Sequence, residues 1–259
     1  MMKNLSPRFL NRLALALLAF FSLTLAVAPL RADDTMSLPP QPVQTSQLHY
    51  LSAGKPDAAT LLTPPPLLGS VEQAADMETV KTVFHAASSN DMAAAYGEKK
   101  FSVFNFSEAV GVFFVSNNLP KTTAFFEKVQ LDAETVTDLG KDYFKRPRPY
   151  TTDPALANGK LEKSFGYPSG HSTESMVLAL VLADLLPDKH DTIIAHARTM
   201  GWHRVQIARH YPTDIYAGRV LAQAIVKQMK KNSDFQKDFD EVKAEITARQ
   251  TAKSSNTNI

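Results

Sequence analysis

Cysteine is absent from the 259-residue chain, which excludes disulfides, thiolate nucleophiles and Cys-ligated zinc or iron-sulfur sites. Glycine is scarce at 10 residues, too few for the many turns of an all-β sandwich or barrel, so a helical architecture is favoured. Apolar runs long enough to approach a membrane span are confined to the start of the chain, and no strong charge excess exists, the formal net charge being +2. What remains, 44% apolar and 21% charged residues, is the balance of a globular protein that can bury a core. It excludes a disordered tail, a fibrous repeat or a multi-span membrane protein.

The start of the chain reads as a targeting segment. Lys3, Arg8 and Arg12 precede an apolar run of 16 residues from Leu13 to Ala28, and Ala32 then offers a small residue for cleavage before Asp33. The run falls short of the roughly 20 residues needed to cross a bilayer, so residues 1–32 are expected to be a cleaved secretory signal. Cleavage removes four basic residues (Lys3, Arg8, Arg12, Arg31) and no acidic one, taking +2 to −2. The mature chain then lacks the cationic excess of a nucleic-acid binder, and no integral membrane span is expected in it.

Residues 33–66 hold seven prolines and few apolar clusters, the pattern of an extended arm over the domain rather than core. Helical spacing recurs through residues 67–250, read as a single all-α domain, and 251–259 read as a polar, disordered tail. Helices are predicted near 70–87, 89–98, 102–117, 120–129, 132–146, 171–186, 190–208 and 213–231. The stretch from Met176 to Leu186 is apolar on every face, which predicts a helix surrounded by others.

Three clusters carry chemistry. Lys141 and Arg148 lie seven apart around a predicted helix end, where both cations could converge on one anion, although such a basic end is ordinarily a complement to the helix dipole. Pro168, Ser169, Gly170 and His171 form a turn feeding a helix N-terminus, whose unpaired N–H groups make an anion cradle or simply a cap. Arg204 to Asp214 holds His210 at a junction before Pro212, with Asp214 four residues on. A carboxylate there fixes one imidazole nitrogen and leaves the other as a nucleophile, or serves only as a cap.

In this order the clusters resemble the pattern K-x6-R-P, P-S-G-H, S-R-x5-H-x3-D of the type-2 phosphatidic acid phosphatase superfamily, which includes bacterial class A nonspecific acid phosphatases and vanadium haloperoxidases. The matching block runs from Lys141 to Asp214. The Pro-rich entry at Thr63 to Pro66 and the secretory signal look like the class A enzymes. The resemblance implies a compact helical bundle and a periplasmic, metal-independent acid phosphatase that hydrolyses small phosphomonoesters and can transfer phosphate to alcohols. It implies His210 as a nucleophile forming phosphohistidine, oriented by Asp214, with His171 donating a proton to the leaving alcohol and then activating water. Lys141, Arg148, Arg204, Ser169 and Gly170 would bind the phosphate oxygens. No metal or other cofactor is implied, and a homo-oligomer is left open. Alternatives within the superfamily are a lipid phosphate phosphatase at the membrane surface and a vanadate-dependent haloperoxidase.

One position departs from the pattern. His203 stands where the family has serine, removing a hydroxyl near the phosphate and offering a cation or a wider pocket. Acid and base roles for two histidines further predict that one is neutral and the other protonated in the free enzyme, giving a bell-shaped pH dependence. His49, His85, His190 and His196 read as surface or satisfied core residues. Phe101, Phe104, Phe106, Phe113, Phe114 and Trp202 read as packing, with a few available to line a substrate mouth.

Overall fold

The computed structural model describes residues 48–98 and 100–256; the expected signal, and residues 33–47 of the expected arm, lie outside them. No strand occurs among the described residues. In chain order the helices are α1 (Ala58–Leu61), α2 (Val71–Ala86), α3 (Ser89–Gly97), α4 (Ser107–Val110), α5 (Pro120–Phe144), α6 (Pro149–Thr152), α7 (Gly170–Leu185), α8 (His190–Gln206), α9 (Pro212–Met229) and α10 (Ser233–Asn256). No helix among the described residues is long and apolar enough to cross a membrane.

The all-round apolar sequence becomes α7, which packs against α5, α8 and α9. Val177, Leu178, Ala179, Val181 and Leu182 are fully buried there. Each such large aliphatic side chain contributes about 1.5–3 kcal/mol of burial. A smaller cluster of Val80, Tyr150, Leu156, Val205, Ala208, Tyr211 and Ile215 ties α2 and α6 to the junction of α8 and α9. Two glycines let the elements close in. A Cβ at Gly140 in α5 would come within 2.9 Å of the Pro168 ring, and one at Gly218 in α9 within 2.9 Å of the Ser169 carbonyl oxygen. Both contacts press on the turn that opens α7.

Four local expectations are corrected. The described part of the arm contributes to the core: Tyr50, Leu51, Ala58 and Leu62 are buried in the main cluster, while most of its other residues are exposed or half-buried. The buried Asp132 carboxylate accepts backbone N–H bonds from His49 and Tyr50 at 2.7 Å and from Leu51 at 3.0 Å, anchoring an otherwise irregular segment. The helix expected over 102–117 breaks into short turns around α4, because Gly111 sits at φ 130°, outside the helical region. The helices expected at 120–129 and 132–146 are one, α5, since neither Gln130 nor Leu131 breaks a helix. α10 was not among the predicted helices, and it continues through 251–256 of the expected tail. Phe235, Val242 and Ile246 bury its apolar side.

Candidate active site

Three breaks between helices converge on the start of α7. The first follows α5, whose C-cap Lys145 takes a left-handed conformation (φ 50°) and turns the chain into Arg146-Pro147-Arg148. The second is the Ser169 turn: the Ser169 hydroxyl oxygen caps α7 by accepting from the Ser172 N–H at 3.4 Å, and the Ser169 N–H donates to the Asp214 carbonyl at 3.1 Å. The third lies between α8 and α9, where Ala208 (φ 51°) reverses the chain and the N–H groups of Arg209 and His210 both point to the Arg204 carbonyl.

His210 is buried and engaged on both ring nitrogens. Arg148 Nη1 lies 3.1 Å from Nε2, and Asp214 Oδ2 lies 3.3 Å from Nδ1. A guanidinium only donates, so Nε2 must present its lone pair and Nδ1 carries the proton toward Asp214. Burial, reinforced by Arg148, Arg204, Lys141 and His171, holds the His210 imidazole well below its ordinary value and therefore neutral. Asp214 is fixed in turn by the Tyr211 N–H at 2.9 Å and by the Arg146 guanidinium. Burial still pushes its carboxyl up to about 7, against the pull of Arg146.

Arg148 is locked by the loop before α7, donating from Nε to the Ser164 carbonyl at 2.8 Å and from Nη2 to the Ser164 hydroxyl at 3.0 Å. Arg204 donates to the Ala95 carbonyl of α3 at 2.8 Å and approaches Glu162 at 3.5 Å, while its Nε is buried without a partner. Burial lowers this guanidinium to about 10. Lys141 pairs with Asp138 at 2.7 Å, and its Nζ stands 3.2 Å from where a Gly170 side chain would begin. Any Cβ at position 170 would therefore crowd the ammonium.

His171 lies in the first turn of α7 with its Nε2 buried and unpartnered. The Phe101 ring tilts over it at 5.5 Å, so Phe101 is one of the aromatics at the site rather than only packing. Burial and then Arg204, opposed by the facing Glu98 backbone carbonyl, bring His171 down to about 3. Both imidazoles are thus lowered from their ordinary value in the free protein. The physical reason is burial first, reinforced by the three cations around them.

His203 does not act as an extra free cation. Its Nδ1 lies 2.9 Å from both carboxylate oxygens of Glu98, the residue whose carbonyl faces His171. Sequence reasoning gave no role to Arg146, which proves to be the hub behind Asp214. It reaches Thr213, Gln73 and Asp76 at 2.6–2.7 Å, and it stacks 4.0 Å over the Tyr211 ring. Its place inside the Arg-Pro-Arg-Pro run was the available signal; Gln73 and Asp76 on α2, some 70 residues earlier, offered none. Glu162, which receives Arg209 Nε at 2.9 Å as well as Arg204, was equally silent. Among the described residues no group of three or more His, Asp or Glu is placed to hold a metal ion. The site instead offers an unprotonated imidazole nitrogen among fixed cations and backbone donors, an arrangement suited to attack on a bound oxyanion.

The PAP2 superfamily pattern matches residues 129–234, a span that contains all three clusters. A non-specific acid phosphatase of Providencia stuartii is 29% identical over 216 residues, covering 77% of this chain and 85% of that protein. An acid phosphatase of Zymomonas mobilis is 26% identical over 217 residues, covering 80% and 81%. Among solved structures, a transmembrane PAP2-type phosphatidylglycerolphosphate phosphatase from Bacillus subtilis matches 67% of this chain and 89% of its own at 20% identity, with a TM-score of 0.46.

Proposed function

We propose that this chain, which carries a PAP2 superfamily domain over residues 129–234, is a secreted acid phosphatase that hydrolyses phosphomonoesters through a phosphohistidine on His210. The observation that carries this reading is the placement of the His210 ring, with Nε2 3.1 Å from Arg148 Nη1 and Nδ1 3.3 Å from Asp214 Oδ2. The two acid phosphatase relatives support the reaction class.

In this mechanism the phosphoryl group enters between Nε2 and the Arg148 guanidinium, and its oxygens take up donors from Arg148, Arg204, Lys141, Ser169 and the Gly170 N–H. These donors strengthen their hold as charge spreads over the equatorial oxygens in the transition state. Nε2 attacks phosphorus, the P–O bond to the leaving alcohol breaks, and His171 gives that oxygen a proton. Asp214 stabilises the positive charge that develops on His210. His171 then removes a proton from water, which attacks phosphorus, breaks the P–N bond and releases phosphate; an alcohol in the place of water gives phosphotransfer. The low value of about 3 for free His171 is consistent with this cycle, because a bound phosphate dianion offsets the cations and favours the imidazolium. The proton is loaded when substrate is present.

The test is turnover of p-nitrophenyl phosphate in excess EDTA, followed by a denaturing alkaline quench, which preserves a P–N bond, after mixing with ³²P-labelled substrate. Label on His210 is expected. A folded protein with no turnover from about pH 4 to 8 would overturn the proposal.

A further inference from the structure

Outside the candidate active site, α3, α8 and α9 line an open surface pocket of about 380 Å³, within the range of roughly 300–1,000 Å³ usual for small-ligand sites. Arg198, Trp202 and Gln206, spaced four apart on one face of α8, line it together with His203, Asp91 of α3 and Arg219 of α9. Its charges do not cancel. Among the described residues neither Arg198 nor Arg219 has an ion-pair partner. The only carboxylate in the lining, Asp91, takes the Ser88 N–H at 2.9 Å and hydroxyl at 2.7 Å on one oxygen as the cap of α3, and it also bonds Gln206. His203 is engaged by the Glu98 carboxylate.

On two of the lining residues a polar atom is buried without a hydrogen-bond partner: Arg219 Nε and Gln206 Oε1. Burying such groups unpaired is costly, and folded proteins rarely leave them so without a ligand or water to complete them. Partial burial and then the neighbouring Arg198 hold the Arg219 guanidinium below its ordinary value. The guanidinium fork suits the oxygens of a tetrahedral oxyanion. The partly exposed Trp202 ring forms a wall beside it.

We propose that the pocket between α3, α8 and α9 is a second, non-catalytic site for a small oxyanion of the phosphate class, held by Arg198, Arg219 and Gln206. The site is independent of the catalytic reading, since none of these three side chains belongs to the machinery around His210.

Trp202 is the sole tryptophan in the sequence, so its fluorescence reports on this pocket directly. The intact protein is titrated with orthophosphate, with chloride at matched ionic strength as the control. A saturable change with phosphate alone is expected in the wild type. In the Arg198→Gln/Arg219→Gln double variant that change should weaken about 10- to 100-fold, the scale of losing charge-assisted bonds to an anion. Turnover of p-nitrophenyl phosphate by the same variant should stay within about threefold of wild type. No saturable signal in the wild type overturns the proposal. So does an unchanged signal in the double variant, because Trp202 would then be reporting phosphate near Arg204. If the double variant does not fold, Arg198→Gln alone, at an exposed position, provides the same test: weaker binding supports the site and unchanged binding overturns it.

Discussion

His210 and His171 feel the same three cations, yet the chain holds them in contrasting ways. His210 is clamped at both nitrogens, by Arg148 and Asp214, and the clamp is itself buttressed by Arg146, Asp76 and Gln73. His171 has an unpartnered Nε2, a tilted Phe101 ring and a single facing carbonyl from Glu98. The difference matches what each group would have to do. A nucleophile benefits from one fixed tautomer and orientation, whereas a group that gives and retakes a proton must keep one nitrogen free for its changing partner.

The contrast can be broken most sharply at the clamped histidine. His210→Ala should abolish the acid-labile, alkali-stable phosphoenzyme and lower kcat on p-nitrophenyl phosphate by about 10⁴-fold or more, as removal of a nucleophile does elsewhere. Single-turnover quench with labelled substrate measures both. His171→Ala should lose about 10²- to 10⁴-fold on alkyl phosphates and less on aryl phosphates, whose leaving group scarcely needs a proton. Equal losses on both would contradict an acid role. The pH behaviour sharpens the same point. Free His171 titrates at about 3, and because a phosphate dianion stabilises the imidazolium, bound phosphate should move that value upward; ¹⁵N NMR of the imidazole with and without phosphate reads the direction.

The buttress predicts a stability effect. Arg146→Met leaves Asp76 and Asp214 buried without their shared cation, and denaturant unfolding should show a loss of about 3–5 kcal/mol at neutral pH, the usual result of breaking a buried pair from one side. The smallest effect is expected on the looser histidine. His203→Ser releases the Glu98 carboxylate, and kcat should fall by about three- to tenfold, more for alkyl than for aryl phosphates, with little change in melting temperature. A uniform loss on both substrates would assign His203 a purely structural role.

Legibility in the sequence followed how local each signal was. The apolar stretch from Met176 to Leu186 was readable as a central helix because burial on all faces leaves no periodic gap for polar residues. The Ser169 cap and the Pro212 start of α9 were readable from local backbone chemistry. Residues 102–117 were not, since apolar spacing there outweighed the one glycine whose positive φ decides the path. Tyr50 and Leu51 were hidden for a different reason: the Asp132 carboxylate that fixes their backbone comes from α5, about 80 residues away. Glu98 and His203 show the same limit, because only the packing of α3 on α8 brings them together.

The sequence alone determined the helical class, the central helix and the three clusters with their order, all of which rest on short-range spacing, capping and composition. Only the tertiary structure decided which guanidinium serves which partner: Arg146 behind Asp214, Arg148 on His210, Arg204 between Ala95 and Glu162. Arginines look alike along a chain. Their partners are chosen by burial, which makes an unpaired charge costly and so ties each cation to whatever carboxylate, carbonyl or imidazole the folded helices bring within reach.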